Sequence, residues 1–287
     1  MSRQRARFAL CTISAVSLAT TFILVAPAAA QSRNDRNSRD AQDNRGDEYN
    51  WAGAISNGNS IIIKNINGPI RVEQSTSSRV EVSAEKRWRR GNPEDVRIVQ
   101  PRSSNGDVVI CALWSEESTC DAQGIHTPRN SRSYNRNNDV SVHFVVRVPN
   151  GVRVDIESVN GGLEVSGVNT EVRAETVNGS IEARSSGGPV RAKTVNGSIT
   201  IGMGSLNTSG DLDYETVNGS VTLEMPASFG AQIELSTVNG RVHTDFPVTV
   251  VGTLSTRKLR GTVGNGSARV RASTVNGSIS LVTTEAK

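Results

Sequence analysis

The tripeptide Val-Asn-Gly recurs six times in this chain at nearly constant spacing, and no other feature constrains the fold as strongly. The copies contain Asn160-Gly161, Asn178-Gly179, Asn196-Gly197, Asn218-Gly219, Asn239-Gly240 and Asn276-Gly277. The first five asparagines are 18, 18, 22 and 21 residues apart. A fixed period of this size indicates a repeat protein, in which each copy forms one unit that stacks on the next.

The residues on both sides of each turn alternate between apolar and polar. In "VRAETVNGSIEAR", Val172 and Ala174 alternate with Arg173 and Glu175, and the alternation resumes after the turn. Period-two patterning of this kind predicts short β-strands. Weaker turns lie halfway between the full copies, so each coil of about 18–22 residues holds two strand units.

We therefore predict an all-β fold, a β-helix-like β-solenoid with short strands and Asn-Gly turns. Strands this short do not form stable isolated hairpins. Stacked coils instead pair every strand with its copy and bury a continuous apolar column. An antiparallel sandwich or barrel is the alternative fold, because Asn-Gly between alternating segments also favours hairpins.

The turn residues have structural roles in such a stack. Asparagine and glycine suit the turns because both tolerate left-handed backbone angles that a β-branched residue would resist. The asparagines, among them Asn178, Asn196, Asn218 and Asn239, are expected to form an amide ladder, each bonded to its neighbours above and below. The turn threonines share the inward parity of their strands: Thr176, Thr194, Thr216, Thr237 and Thr274. This parity argues against an ice-binding face, and the structural role is preferred over binding of glycan hydroxyls.

The N-terminal region is typical of an exported protein. Residues 1–30 combine three arginines, an apolar run and small residues before Gln31, which predicts a cleavable signal peptide. An uncleaved membrane anchor is the alternative. No later segment is apolar enough to span a bilayer, so no transmembrane segment is expected after signal removal. Residues 31–50 are polar and charged, which predicts a disordered leader, with ordered structure starting near Trp51.

The repeat pattern divides the remaining chain into three parts. The rhythm of turns places the first solenoid coils at residues 51–85. Residues 86–139 break the rhythm and are predicted to form an insertion with further strand-like pieces. The main repeat array occupies residues 140–287.

The charge of the mature chain excludes one class of partner. The full sequence has 32 basic and 28 acidic residues. Removal of Arg3, Arg5 and Arg7 with the signal leaves 29 against 28, a net charge of +1. A nucleic-acid-binding role is therefore not expected.

Two cysteines remain outside the signal. Cys111 and Cys120 are separated by "ALWSEEST". In an exported chain a close pair of this kind predicts a disulfide that closes a small loop. A reactive dithiol is the alternative, although it ordinarily has the tighter Cys-x-x-Cys spacing.

The insertion also contains a candidate binding patch. Trp88 lies among Arg87, Arg89 and Arg90, and Trp114 lies inside the cysteine loop. Tryptophans near a basic cluster are able to contact anionic glycans or a protein partner. The alternative is that both tryptophans pack the insertion against the solenoid end.

The sequence offers little for catalysis or cofactor binding. Asp211 and Asp213 near Arg191 are the best pair of carboxylates for a glycan-cleaving enzyme. The three histidines are scattered, and no metal-binding, nucleophile or phosphate-loop motif is present. We therefore predict no catalytic site, no cofactor and no metal.

Three segments carry a resemblance to a known family: "INGPIRV", "VRVPNGVRVDIESVNGGLEV" and the repeated "TVNGSI". Over most of residues 51–283 the chain resembles the bacterial DUF4097 family, also called "putative adhesin". The resemblance implies a β-solenoid exported to the cell envelope with an adhesive role, and it brings no catalytic motif. The expectation is a non-catalytic binding or structural module in the periplasm or at the cell surface, with an unknown protein or glycan of the envelope as partner. A polysaccharide-active solenoid enzyme and a periplasmic partner in envelope sensing are the alternatives.

Overall fold

The structure is a computed structural model that describes residues 42–44, 46–103, 105–129, 138–204, 211–250, 255–266 and 268–284. The signal peptide predicted at residues 1–30 lies outside this range. Part of the region predicted as a disordered leader lies inside it and forms strands. Tyr49 is buried in the core, so ordered structure begins before Trp51, which corrects the predicted boundary.

β-strands are the main regular structure of the described chain. Its one helical element is the 3₁₀-helix Pro93–Asp95. The strands before the repeat array are β1 Gln42–Asn44, β2 Glu48–Gly53, β3 Ser60–Lys64, β4 Ile70–Gln74, β5 Val80–Arg87, β6 Arg97–Gln100, β7 Val108–Leu113, β8 Thr119–Asp121, β9 Gly124–His126 and β10 Ser141–Val148. The strands of the array are β11 Arg153–Asn160, β12 Leu163–Val168, β13 Val172–Asn178, β14 Ile181–Ser185, β15 Val190–Asn196, β16 Ile199–Met203, β17 Asp211–Asn218, β18 Val221–Met225, β19 Ala231–Asn239, β20 Val242–Thr244, β21 Val248–Val250, β22 Lys258–Val263, β23 Ala268–Asn276 and β24 Ile279–Thr283.

All of these strands except β8 and β9, which pair with each other, form two long sheets that confirm the predicted β-solenoid. Sheet A has the order β1-β6-β7-β3-β11-β13-β15-β17-β23-β19-β22-β21, and sheet B has the order β2-β5-β10-β4-β12-β14-β16-β18-β24-β20. Each coil contributes one strand to each sheet, and neighbouring coils pair in parallel, in register. Within the described residues there are seven coils, which we number in stacking order: 60–74, 153–168, 172–185, 190–203, 211–225, 268–283 and 231–244.

The core lies between the two sheets and is built from columns of equivalent residues. On sheet B the paired column reads Ile70, Leu163, Ile181, Ile199, Val221 and Ile279, all buried. On sheet A, Tyr214 pairs with Ala192 on one side and Ala272 on the other. The small alanines leave room for the large ring, so the column stays close-packed although its residues differ in size.

The stacking order differs from the chain order at the distal end. Coil 6 (268–283) lies between coil 5 and coil 7, although coil 7 (231–244) precedes it in the sequence. The sequence predicts that Asn239 stacks on Asn218. In the structure these two residues are not stacked, because coil 6 lies between them. The distal edge of β19 is covered by the antiparallel strand β22, which leaves only the inner edge of coil 7 for the later coil.

The N-terminal end of the stack is capped by strands that are not coils. Of the region predicted as the first coils, only 60–74 forms one, because β5 turns back antiparallel to β10 and β2. The predicted insertion is not a separate body either. Its strand β7 pairs in parallel with β3 and in antiparallel with β6, which extends sheet A beyond coil 1.

Candidate functional site

The corner between sheets A and B contains the Thr-Val-Asn-Gly turns, and each residue of the turn has a separate role. The first residue points inward, as predicted. Thr176 donates its hydroxyl to the carbonyl of Gly161 in the preceding coil at 3.0 Å, and Thr194 donates to Gly179 at 2.9 Å. Ser158, Thr216, Thr274 and Thr237 make the equivalent bond in their coils. The buried hydroxyls therefore tie each turn to the turn below it.

The turn glycines are required for a reason other than the predicted one. Of the six, only Gly277 has a positive φ. A Cβ atom on Gly179 would lie 2.1 Å from the carbonyl oxygen of Gly161, and one on Gly197 would lie 2.0 Å from that of Gly179. No side chain fits at these separations. The glycine is needed because successive turns approach closely, and left-handed geometry is not the cause.

The turn asparagines form the amide ladder that the sequence predicts. Asn178 donates its Nδ2 to the Oδ1 of Asn160 at 2.8 Å, and Asn196 donates to Asn178 at 2.8 Å. Asn218, Asn276 and Asn239 continue the ladder in stacking order. Every bond runs in the same direction, so the ladder has a polarity along the stack.

The turn valines form an exposed apolar column beside the amides. We call this set the valine ladder: Val159, Val177, Val195, Val217, Val275 and Val238. Their exposed fractions run from 38 % to 56 %. A single exposed valine is common on protein surfaces, whereas a contiguous row of exposed valines is not. The valine ladder is therefore the most conspicuous apolar feature of the described surface.

A groove of about 640 Å³ runs along the first part of this ladder. Val159, Val177, Val195 and Val217 line it, and Ile66 and Ile125 close it at the N-terminal end. Ile125 belongs to β9 of the β8–β9 hairpin, whose Cys120 is joined to Cys111 of β7 by a disulfide. The hairpin covers a small cluster on the outer face of sheet A that includes Ile62, Val109 and Leu113. The disulfide therefore holds the end wall of the groove in place.

A column of charged residues forms the other side of the groove. Glu157, Glu175, Lys193 and Glu215 pair in register on successive coils. The ammonium of Lys193 lies 3.3 Å from the carboxylate of Glu215. Oppositely charged neighbours such as Lys193 and Glu215 stabilise the stack by a few tenths of a kcal/mol per exposed pair, whereas Glu157 and Glu175 are like charges that oppose it.

Lys64 is the buried member of this column. Its ammonium contacts the carboxylate of Glu157 and lies 3.5 Å from the Oδ1 of Asp155. Burial raises the pKa of Asp155, and the nearby charge of Lys64 opposes that rise. The Oδ1 of Asp155 is a buried atom that accepts no hydrogen bond from a described residue.

The structure does not bring the predicted tryptophan patch together. Trp88 is 41 % exposed, whereas Trp114 is 8 % exposed, lies in the main core and donates its Nε1 to the carbonyl of Val140. Trp114 is therefore a packing residue and is removed from the patch. The guanidinium of Arg87 pairs with Glu85. The backbone amides of Arg89 and Arg90 donate to the carboxylate of Asp139, which shapes the loop that carries Trp88.

Each member of the predicted acidic pair faces a basic residue of a neighbouring coil. Asp211 lies 3.5 Å from Arg269, and Asp213 lies 3.8 Å from Lys193. Arg191 contacts Glu171 in place of either aspartate. These are surface ion pairs between neighbouring coils. No cluster of three metal-binding side chains occurs among the described residues.

Sequence reasoning missed the valine ladder, although a signal for it was present. The threonine of each turn has inward parity, so the following valine has outward parity in the same strand.

The described part of the chain contains no helix with the length and apolarity needed to cross a bilayer.

The chain is similar to one protein family and to solved structures. The family model described as "Toastrack DUF4097" matches residues 59–282. The crystal structure of "a putative cell adhesion protein" from Clostridium sporogenes ATCC 15579 is similar over 83 % of this chain and 100 % of its own, with 11 % identity and a TM-score of 0.46. That of "a putative adhesin" from Bacteroides fragilis NCTC 9343 covers 83 % of this chain and 97 % of its own, with 12 % identity and a TM-score of 0.27. No curated protein matches the chain.

Proposed function

The chain belongs to the Toastrack DUF4097 family, and from this premise we propose that it is an exported, non-catalytic binding module of the cell envelope, with an adhesin-like role. The observation that carries the proposal is the groove along the valine ladder. It combines an apolar floor with polar groups on both sides, which is the usual composition of a ligand site.

The dimensions of the ladder favour a linear partner over a folded protein. Six coils about 4.8 Å apart span about 24 Å, and the valine and asparagine columns together are about 7 Å wide. The resulting area is on the order of 200 Å². A stable protein interface buries about 800 Å² on each partner. A chain one residue wide, laid along the stack, matches the strip better.

A glycan chain has the chemistry that these two columns recognise. The C–H faces of sugar rings are apolar and are able to lie on the valines. Each interior amide of the asparagine ladder uses one N–H and one lone pair within the ladder. A carboxamide has two of each, so one donor and one acceptor per coil stay available for hydroxyl or acetamido groups. We propose a linear envelope glycan as the partner.

The disulfide supports a location outside the cytoplasm. Bonds of this kind persist in oxidising compartments such as the periplasm and the cell surface. Cys111 is fully buried and Cys120 lies on a small hairpin, which is the arrangement of a structural staple. Location in the periplasm or at the surface is part of the proposal.

Cosedimentation of the purified protein with insoluble peptidoglycan sacculi and with chitin tests the proposal. We expect the wild-type protein to pellet with at least one of these glycans and Val195→Lys to stay in the supernatant. Val250→Lys is the matched control, since Val250 is equally exposed but lies outside the valine ladder. Loss of binding in both variants, or no binding of the wild type, would contradict the proposal.

The enzyme alternative and the tryptophan patch are tested in the same assay. Release of soluble sugar that disappears in Asp213→Asn would show catalysis and overturn the non-catalytic assignment. Binding lost in Trp88→Ala and in Arg89→Ala, with an unchanged circular-dichroism melt, would move the site to the loop at residues 87–90.

A further inference from the structure

The six Val-Asn-Gly turns are chemically alike but do not have the same hydrogen bonds. In five of them the glycine N–H donates to the asparagine carbonyl of the next coil. These bonds join Gly161 to Asn178, Gly179 to Asn196, Gly197 to Asn218, Gly219 to Asn276 and Gly277 to Asn239, at 3.0–3.1 Å. Coil 7 is the last coil of the stack, so Gly240 has no next turn. Its N–H donates to no described residue.

The side-chain amides show the same difference. The Oδ1 of each asparagine in coils 2 to 6 accepts the Nδ2 of the next coil. Asn239 donates its Nδ2 to Asn276 at 2.9 Å, but its own Oδ1 accepts from no described residue. All bonds of the ladder run in the same direction, so the coil 2 end does not have the same free groups as the coil 7 end. There Gly161 still donates to Asn178, so only the coil 7 end lacks both bonds.

Asn-Gly is the dipeptide in which a backbone nitrogen most easily attacks the preceding side chain, because glycine has no Cβ to hinder the approach. We propose that Asn239 is a site of spontaneous deamidation, selected from six equivalent sequences by its position at the end of the stack. The nitrogen of Gly240 forms a bond to Cγ of Asn239 and loses its proton. The Cγ–Nδ2 bond breaks, and ammonia leaves with that proton. Water then opens the succinimide to aspartate or isoaspartate.

The interior turns are protected because both reacting groups are held. The glycine nitrogen is fixed by its bond to the next coil, and the carboxamide is fixed from both sides within the ladder. Attack at an interior turn requires the coils to separate locally, and that opening breaks several bonds of about 1 kcal/mol each. At Asn239 the glycine nitrogen is not held by a next coil, and the bonds that restrain the residue are its Nδ2 bond to Asn276 and the bond its carbonyl accepts from Gly277.

Modification would alter the end of the ladder. An aspartate at position 239 has no Nδ2 and so loses the donor to the Oδ1 of Asn276. Isoaspartate in addition lengthens the backbone at the turn. The product would carry a new negative charge next to the exposed Arg241, at the coil 7 end of the ladder.

Peptide mapping by mass spectrometry tests the inference. Folded protein and protein in denaturant are incubated at mildly alkaline pH, and deamidation is measured at all six turns. In denaturant the six sites share the sequence Val-Asn-Gly and should react at similar rates. In folded protein we expect Asn239 to react at least about tenfold faster than each of the other five, corresponding to two missing hydrogen bonds.

Two outcomes overturn the inference. One is protection of Asn239 equal to that of Asn196, and the other is faster reaction at any of the other five turns. Asn239→Ser is the control, since its folded chain should show none of the fast deamidation, and with one ladder bond lost its circular-dichroism melt should shift by no more than about 2 °C. The readout is covalent and does not depend on any ligand.

Discussion

Asn276 donates its side-chain amide to the Oδ1 of Asn218 at 2.8 Å, although 58 residues separate the two in the sequence. This bond joins coil 6 to coil 5. Asn239, which lies between them in the sequence, stacks on the other side of Asn276. Equivalent turns thus pair without regard to chain order, and every turn except that of coil 7 donates its glycine N–H to the next coil.

We expect the interior of the asparagine ladder to contribute more stability than its end. Asn196→Ala removes two amide bonds, whereas Asn239→Ala removes one. The interior variant should lose about 1 kcal/mol of unfolding free energy and the terminal variant about half of that. Urea denaturation at equilibrium measures both. Equal losses would show that the ladder bonds contribute nothing beyond the turn itself.

The buried threonine hydroxyls should each contribute measurably. Thr194→Val keeps the shape of the side chain but leaves the carbonyl of Gly179 without the bond from Oγ1. The expected loss of unfolding free energy is about 1 kcal/mol. Thr200→Val is the control, because Thr200 is a half-buried residue on the outer side of β16. A larger effect in the control would contradict this role for the hydroxyl.

The effect of removing Lys64 should depend on pH. Burial raises the pKa of Asp155, so the folded chain binds this proton more tightly than the unfolded chain does. The unfavourable contribution of Asp155 is therefore absent below its unfolded pKa and fully present above its folded pKa. Lys64→Met removes the charge that opposes the rise, so the pKa should rise further. We expect a loss of about 3 kcal/mol at neutral pH that shrinks as the pH falls toward about 4.

The matched control for this experiment is Arg71→Met. Arg71 lies 2.8 Å from Glu164, but both side chains are about half exposed. Its loss of stability should be below about 1 kcal/mol. Urea denaturation of both variants across the acidic range measures the difference. A Lys64→Met loss that stays constant with pH would show that Asp155 is not coupled to the ammonium.

Reduction of the disulfide should loosen the end wall of the groove. The bond closes a loop with a sequence separation of nine residues, and its removal should cost about 2 kcal/mol of stability. Hydrogen exchange should increase in β8 and β9 and stay unchanged in coils 4 to 6. In Cys120→Ser the reductant should have no further effect, and a response in that variant would assign the change to another cause.

The repeat pattern predicts most of the fold because each coil is specified by local sequence. The alternation around Asn178 and Asn196 places the strands, the turns and the inward threonines correctly. Pattern alone does not determine which coil stacks on which, because all six turns are interchangeable partners. The position of coil 6 depends on β22 covering the far edge of β19, a contact between segments without repeat character.

The candidate site was less accessible to sequence reasoning. Tryptophan and arginine are the usual binding residues, so the sequence predicts a binding patch at residues 87–90. The burial of Trp114 depends on its packing against the residues around Val140, which no local pattern reveals. The valine ladder consists of ordinary residues that become a surface feature only when six of them are stacked.

The insertion of coil 6 also affects how the polypeptide assembles during synthesis. Residues 231–244 are synthesised before residues 268–283. The coils of a nascent chain therefore cannot all be added to the stack in the order of their synthesis. Coil 7 must either remain undocked until coil 6 is available, or dock on coil 5 first and then be displaced by coil 6. A premature stop codon near residue 268 would accordingly remove coil 6. Coil 7, with β22 at its far edge, would then lack the coil on which it packs.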